Sequence, residues 1–311
     1  MRVLFLDTVH EILEQRLTKA GFDCIHLESA SEEVIREQMV DCEGIVIRSR
    51  FPMNSSWLDR CKQLKFIARS GAGMENIDEE YCSKRGFKLY NAPEGNRNAV
   101  GEHSLALLLN LMNLINAGDK DIRAGQWNRE GHRGEELDGK TIGIIGYGNN
   151  GRAFAKKLQG FNVNILVNDL IRIDPTFKNV EQVELSAIQE KADVLSFHIP
   201  QNAETIGFFD TTLLKNMKKP FYLLNVARGK IVNLETVEEG LNSGQIKGVG
   251  LDVFEFESSS FENGISSEIP LKYPVLFNHP RVIMSPHVAG WTKESYFKLS
   301  DVLADKILAD F

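Results

Sequence analysis

The sequence predicts an α/β protein built from two parallel-sheet domains. Three observations carry that reading. Short apolar runs alternate with amphipathic stretches of helical period, a Gly-X-Gly-X-X-Gly loop directly follows one apolar run, and 311 residues suit two domains. Hydrophobic residues make up 42% and charged residues 25%, which is ample for a core and unlike a disordered or collagen-like chain. With 36 Lys and Arg against 43 Asp and Glu, the net charge is −7. That is the wrong sign for a partner of nucleic acid or of an anionic membrane.

In chain order, residues 3–6, 45–47, 66–68 and 88–90 read as strands, and 11–20, 32–38 and 79–85 as the helices between them. Gly21, Gly44 and Gly86 stand where helices should stop and strands begin. Residues 98–123 read as one helix. Ala99, Val100, residues 105–109, Leu111, Met112, Leu114 and Ile115 cover almost every helical angle, which predicts burial on all sides at a domain junction. Residues 125–139 are polar and Gly-rich and hold Trp127, the pattern of an exposed arm with an interface aromatic. A second α/β unit opens at 141–145, with further strands expected at 163–167, 194–197, 222–226, 249–253 and 282–284. Residues 292–311 form an amphipathic tail with Leu299, Val302, Leu303, Lys306 and Ile307 on one side.

Cys24, Cys42, Cys61 and Cys82 lie 18 to 21 residues apart with no CxxC pair, so no zinc or thioredoxin-like site is expected. They read as buried small side chains of a reducing cytoplasm. The N-terminus reaches Asp7 after four apolar residues, too short for a signal peptide, and Asn110 and Asn113 interrupt the longest apolar run. A cytoplasmic protein is expected.

Gly146-Tyr-Gly148-Asn-Asn-Gly151 follows a predicted strand and opens a predicted helix. A second strand then ends at Asp169, 23 residues past Gly146. A dinucleotide needs that arrangement. Gly146 permits the turn, Gly148 lets backbone approach the pyrophosphate, and Gly151 lets helix and strand pack closely. The helix N-terminus presents free N–H groups to the phosphates. Asp169 suits the ribose hydroxyls and repels a 2′-phosphate, which favours NAD. Asn150 stands where an apolar side chain normally packs.

Three later segments end strands with reactive side chains: Asn225-Val-Ala-Arg228-Gly229, Leu251-Asp252-Val-Phe-Glu-Phe-Glu257 and Ser285-Pro-His287-Val-Ala-Gly290. Converting between an alcohol and a carbonyl at a nicotinamide needs a proton carrier and a cation for the substrate carboxylate. His287 suits the first role, and Glu257 nearby would favour its imidazolium form. Arg228 suits the second, because its planar fork can grip a carboxylate.

On these residues the sequence resembles the D-isomer-specific 2-hydroxyacid dehydrogenases, and within them the D-3-phosphoglycerate dehydrogenase branch. The resemblance covers nearly the whole chain. It includes Arg69-Ser-Gly-Ala-Gly-Met-Glu-Asn-Ile-Asp78, Asn91-Ala-Pro-Glu-Gly-Asn96, Val100-Gly-Glu-His103, Leu137-Asp-Gly-Lys-Thr-Ile-Gly-Ile-Ile-Gly146 and His198-Ile-Pro200. It implies catalytic roles for Arg228, Glu257 and His287. It also implies that Asp252 holds the nicotinamide amide, and that the backbone N–H groups of Ser70, Gly71 and Ala72 bind the substrate carboxylate. Cofactor contacts are implied for Asn149, Asn150, His198, Pro200, Val226, Ala227, Ala289 and Gly290 as well.

The resemblance further implies a substrate domain of residues 1–98 and 288–311 and an NAD domain of residues 99–287, the chain crossing twice. A homodimer arm is implied at about 119–139, along with domain closure that excludes water. The chain departs from the family pattern at Asn233, at Ser258 and in a longer loop within residues 258–280. Its end is expected to leave no room for the C-terminal regulatory domain of longer relatives. Arg48 and Arg50 end a strand on the side expected for the carboxylate loop, and the branch places a substrate phosphate there. Arg129 matches a cationic position of the dimer arm. Together these point to 3-phosphoglycerate. Two alternatives are a glyoxylate or hydroxypyruvate reductase and, from another class, a dinucleotide-sensing corepressor.

Overall fold

In a computed structural model that describes residues 1–174, 177–257 and 266–311, the strands form two all-parallel sheets. One compact unit comprises Met1–Arg97 and Trp291–Phe311; the other comprises Asn98–Glu257 and residues 266–290.

The first unit holds β1 (Arg2–Phe5), β2 (Asp23–His26), β3 (Gly44–Ile47), β4 (Phe66–Arg69) and β5 (Lys88–Tyr90), in the order β2-β1-β3-β4-β5. β3 and β4 are buried at every residue, as parallel strands covered on both faces must be. Gly21 and Gly86 end helices with φ of 87° and 73°. Gly44 has a different reason to be small. A Cβ there would sit 2.3 Å from Cζ of Phe66. The tail forms the helix Lys293–Asp310, whose Leu299, Leu303, Ala304 and Ile307 share a core with Val3, Phe5, Leu13, Leu17 and Phe66. Arg16 joins Asp301 and Asp305 at 2.6 Å each.

The second unit holds β6 (Thr141–Ile145), β7 (Asn164–Asn168), β8 (Val180–Gln182), β9 (Val194–Phe197), β10 (Phe221–Asn225), β11 (Ile246–Leu251) and β12 (Val282–Met284). Their order is β12-β11-β10-β9-β6-β7-β8, which reverses direction between β6 and β9. Val100, Leu107, Leu108, Leu111 and Met112 of the helix Pro93–Asn113 pack with Ile142, Ile144 and Leu224 on one face of this sheet. Leu213, Leu214, Leu234, Val237 and Leu241 line the other core.

Two strands were not foreseen. β2 and β8 are edge strands of four and three residues, whose mixed exposure leaves no apolar run to detect. The single helix expected over residues 98–123 is two. Leu114 takes φ 55°, and Asn110 Oδ1 accepts the Asn116 N–H at 2.9 Å in place of a continuing helix bond. The second piece, Ile115–Arg123, buries no residue, and the first is exposed at Glu102, Ala106 and Asn113, so the expected burial on all sides does not hold. Trp127 is 80% exposed in the arm. Asn233, where the resemblance leads one to expect Asp, accepts from Thr236 N at 2.8 Å and caps the helix Leu234–Ser243. Ser258 and the start of the longer loop lie outside the described residues. Among the described residues no helix is long and apolar enough to cross a membrane.

Because Leu303 is fully buried in the core shared by β1 and the tail, Leu303→Ala is expected to cost about 2–5 kcal/mol, read as a lower urea midpoint of the first unit. An unchanged midpoint would show that the tail does not stabilise that unit.

Candidate active site

The glycine loop occupies the point where the second sheet reverses direction, the position at which open α/β sheets take ligands. Gly146 has φ 90°, and a Cβ on it would lie 2.8 Å from the His198 carbonyl oxygen. A Cβ on Gly151 would lie 2.1 Å from the Gly146 carbonyl oxygen, and one on Gly148 would meet nothing within 4 Å. Gly146 and Gly151 are therefore needed for packing, and the space at Gly148 stays open for a ligand. The helix Asn149–Lys157 has no side-chain cap, and Tyr147 Oη and Asn150 Oδ1 are buried without a partner. These features fit a diphosphate on the helix N-terminus. Asp169 accepts from Tyr147 N at 2.6 Å and from Ile171 N at 2.9 Å, so it braces the loop and keeps acceptor positions for ribose hydroxyls.

His198 follows β9. Its Nε2 lies 2.9 Å from Ser196 Oγ, its Nδ1 is buried without a partner, and burial pushes its pKa down to about 3. Pro200 is exposed. The side chains of Val226 and Ala227 belong to the core, leaving only their backbone for a cofactor.

β10, β11 and β12 lie side by side, and their carboxyl ends carry the three reactive segments. His287 Nδ1 is 2.7 Å from Glu257 Oε2. The other Glu257 oxygen accepts from Phe254 N, which holds the carboxylate in place. His287 takes φ 54°, a left-handed backbone that costs a non-glycine residue on the order of 1–3 kcal/mol. Its N–H donates to the carbonyls of Asp252 (2.8 Å) and Ser285 (3.0 Å). Arg228 donates through Nη1 to the Ala227 carbonyl at 2.7 Å. Fully buried Asn225 clamps this turn, accepting from Ala227 N (3.1 Å) and donating to the Arg228 carbonyl (2.9 Å). A Cβ on Gly229 would lie 1.9 Å from the carbonyl carbon of Phe254, so only glycine lets the Arg228 and Glu257 segments touch.

Asp252 braces the loop that carries His287. Its fully buried carboxylate accepts from Ser285 Oγ (2.6 Å), Val288 N (2.9 Å) and Ala289 N (2.7 Å). These bonds hold the loop around His287, and Oδ2, which takes only the Ala289 N–H of these three, keeps an acceptor position. Ala289 is buried and Gly290 closes this loop.

In the first unit the sheet order reverses between β1 and β3, and Asp7 and Arg48 follow those two strands. Asp7 Oδ2 accepts from the backbone N–H of Arg48 (2.6 Å), Ser49 (3.0 Å) and Arg50 (3.2 Å). The Arg48 guanidinium lies 4.4 Å from the centre of the Trp291 ring. Arg50 is a correction to the sequence reading. Its guanidinium donates to the carbonyls of Leu6, Leu27 and Ala30 at 2.9–3.3 Å, so it ties loops together instead of awaiting an anion.

The carboxylate loop needs a similar revision. Ser70 N donates to the Ile47 carbonyl (2.8 Å) and Gly71 N to the Arg69 carbonyl (2.9 Å), so two of the three implied amides already have backbone partners. The sequence reading missed Arg69, a buried cation whose Nε donates to the Arg48 carbonyl at 3.1 Å and over which Gly71 packs. Its position at the end of β4 was the available signal. Arg129 is exposed in the arm.

Residues 105–289 match the family described as D-isomer specific 2-hydroxyacid dehydrogenase, NAD binding domain. A D-3-phosphoglycerate dehydrogenase of Archaeoglobus fulgidus is 30% identical over 311 residues, covering 99% of this chain and 57% of the relative; the chain thus spans little more than half of that protein. A glyoxylate reductase of Thermofilum pendens is 32% identical over 286 residues, covering 90% of this chain and 81% of that one. A solved structure from Thermus thermophilus superposes with a TM-score of 0.83 at 26% identity, covering 99% of this chain and 96% of its own.

His198 sets a pH dependence. It is held neutral in the fold but titrates near 6.5 when unfolded, so the unfolded state gains protons first as pH falls. Stability of the second unit should be full above pH 6.5 and decline below it by about 1 kcal/mol per pH unit, a slope that His198→Phe removes. Urea midpoints at pH 7, 6 and 5 measure it. Equal slopes in both proteins would assign the decline to other groups.

Proposed function

The chain belongs to the D-isomer specific 2-hydroxyacid dehydrogenases, and from that premise we propose that it oxidises or forms a D-2-hydroxy acid with a second anionic group, 3-phosphoglycerate. The observation that carries the reaction is the 2.7 Å contact between His287 Nδ1 and Glu257. Nδ1 donates to the carboxylate, so Nε2 is the atom that exchanges a proton with substrate. In reduction the Nε2 proton goes to the carbonyl oxygen; in oxidation neutral Nε2 accepts the hydroxyl proton. Glu257 stabilises the cation that forms. Arg228, braced by Ala227 and Asn225, grips the substrate carboxylate and polarises the carbonyl. NAD bound at the glycine loop supplies or accepts the hydride.

Support for a phosphorylated substrate comes from Arg48 and from the names of several relatives. Among the described residues the Arg48 guanidinium makes no hydrogen bond or ion pair, and it lies over the Trp291 ring. We also read the chain as a cytoplasmic homodimer, joined through the arm at 119–139, with Arg129 near the interface.

One charge-assisted contact contributes about 1.5–3 kcal/mol, so 3-phosphohydroxypyruvate should exceed hydroxypyruvate in kcat/KM by roughly 10- to 10²-fold. Arg48→Ala should erase most of that ratio. Equal kcat/KM in the unmodified protein would hand the reading to a general 2-oxo-acid reductase, the activity named for the Thermofilum relative. His287→Asn should lower kcat by roughly 10²–10⁴-fold with NADH binding kept. Near-normal turnover in that variant would require another proton donor.

A further inference from the structure

Among the described residues only Leu114 and His287 combine a side chain with positive φ. Leu114 separates two helices, whereas His287 is held by a network that begins far from it in sequence. His103, in the helix Pro93–Asn113, places Nε2 2.9 Å from Ser285 Oγ. Ser285 Oγ lies 2.6 Å from Asp252 Oδ1, and His103 Nε2 is 3.6 Å from the same oxygen. The Asp252 carboxylate then takes the N–H groups of Val288 and Ala289, and its carbonyl takes the N–H of His287.

Counting protons fixes the direction of this chain of contacts. The carboxylate accepts from two backbone amides and has no proton of its own to offer in the network, so the serine hydroxyl donates to it. A serine has one hydroxyl proton, which that bond uses. Ser285 Oγ can only accept from His103, whose proton is therefore on Nε2. The three contacts are compatible in one orientation, and the last member holds the backbone N–H groups of the two residues that follow His287.

We propose that His103 is a positioning residue, which through Ser285 orients the buried Asp252 carboxylate and so fixes the backbone that aims His287. The proposal rests on the dehydrogenase reading for the role of His287. Removing the imidazole frees the Ser285 hydroxyl to rotate and leaves Asp252 with a mobile partner on Oδ1. The left-handed turn at His287 then relaxes, and the imidazole loses its aim without losing Glu257.

The full-length chain carrying His103→Ala, His103→Gln or Ser285→Ala tests this with three readouts: amide hydrogen exchange at Val288 and Ala289, NADH binding by fluorescence, and kcat with KM for the 2-oxo acid. In His103→Ala and Ser285→Ala the two amides should exchange faster, and kcat should fall roughly 10- to 10²-fold at nearly constant KM and NADH affinity, the scale on which slight misplacement of a reacting group acts. His103→Gln, whose side-chain amide can donate to Ser285, should recover most of both losses. If His103→Ala does not fold, Ser285→Ala deletes the same bridge by removing one oxygen. Unchanged exchange and kcat in Ser285→Ala, or a glutamine variant as impaired as alanine, overturns the proposal. Failure of the unmodified chain to reduce any 2-oxo acid would overturn the dehydrogenase reading instead, while exchange at Val288 and Ala289 would still decide whether His103 holds the loop.

Discussion

A parallel sheet pairs the backbone of its strands but not of the loops that leave their carboxyl ends, and this chain solves that problem the same way three times. An aspartate just past one strand accepts N–H groups from the loop after a neighbouring strand. Asp7, after β1, takes three amides that follow β3. Asp169, after β7, takes an amide that follows β6. Asp252, after β11, takes two that follow β12. Hydrogen bonds to a charged acceptor are worth about 1.5–3 kcal/mol each, roughly twice a neutral one. Several converging on one carboxylate can hold a loop that has no core of its own.

Those loops carry the candidate functional groups: Arg48 on the first, the glycine turn on the second, His287 on the third. Rigidity there matters more than stability, because a charge that must meet a small acid is useful only at a fixed position. The backbone strain at His287 belongs to the same account. A positive φ persists in a histidine only where surrounding contacts over-determine it, and the two carbonyls and one carboxylate of its neighbourhood do so. Gly229 and Gly151 add the steric half of the argument, since each stands where a Cβ would strike backbone.

What the sequence made legible follows from range. Doubly buried strands such as β3, β4 and β10 are near-continuous apolar runs and declare themselves locally, as do the glycine loop and the helix caps. The edge strands β2 and β8 lack such runs and stayed hidden. The break at Leu114 depends on an asparagine side chain reaching six residues along, which no helical period encodes. The bracing role of the aspartates, two of which the sequence nominates for other contacts, was invisible for a stronger reason. Asp7 lies 41 residues from the first amide it accepts, and Asp252 lies 36 from Val288. His103 and Ser285 were both within recognised segments, yet their meeting spans 182 residues. Residue type can nominate such groups; only the fold pairs them.

Arg48 and Arg50 show how far residue type alone can mislead about function. They are two positions apart, share one bracing carboxylate and would look interchangeable in any charge count. Their side chains nonetheless meet different neighbours. Arg50, which also lies over the Phe51 ring, gives three of its five donors to backbone carbonyls, whereas Arg48 finds the face of Trp291, which attracts a cation but accepts no hydrogen bond in the plane of the guanidinium. Stacking therefore fixes the position of Arg48 and leaves its donor edge for something else. A planar donor edge of that kind matches the geometry of a carboxylate or phosphate, so residue type alone could nominate Arg48 and Arg50 equally, and only their neighbours separate them.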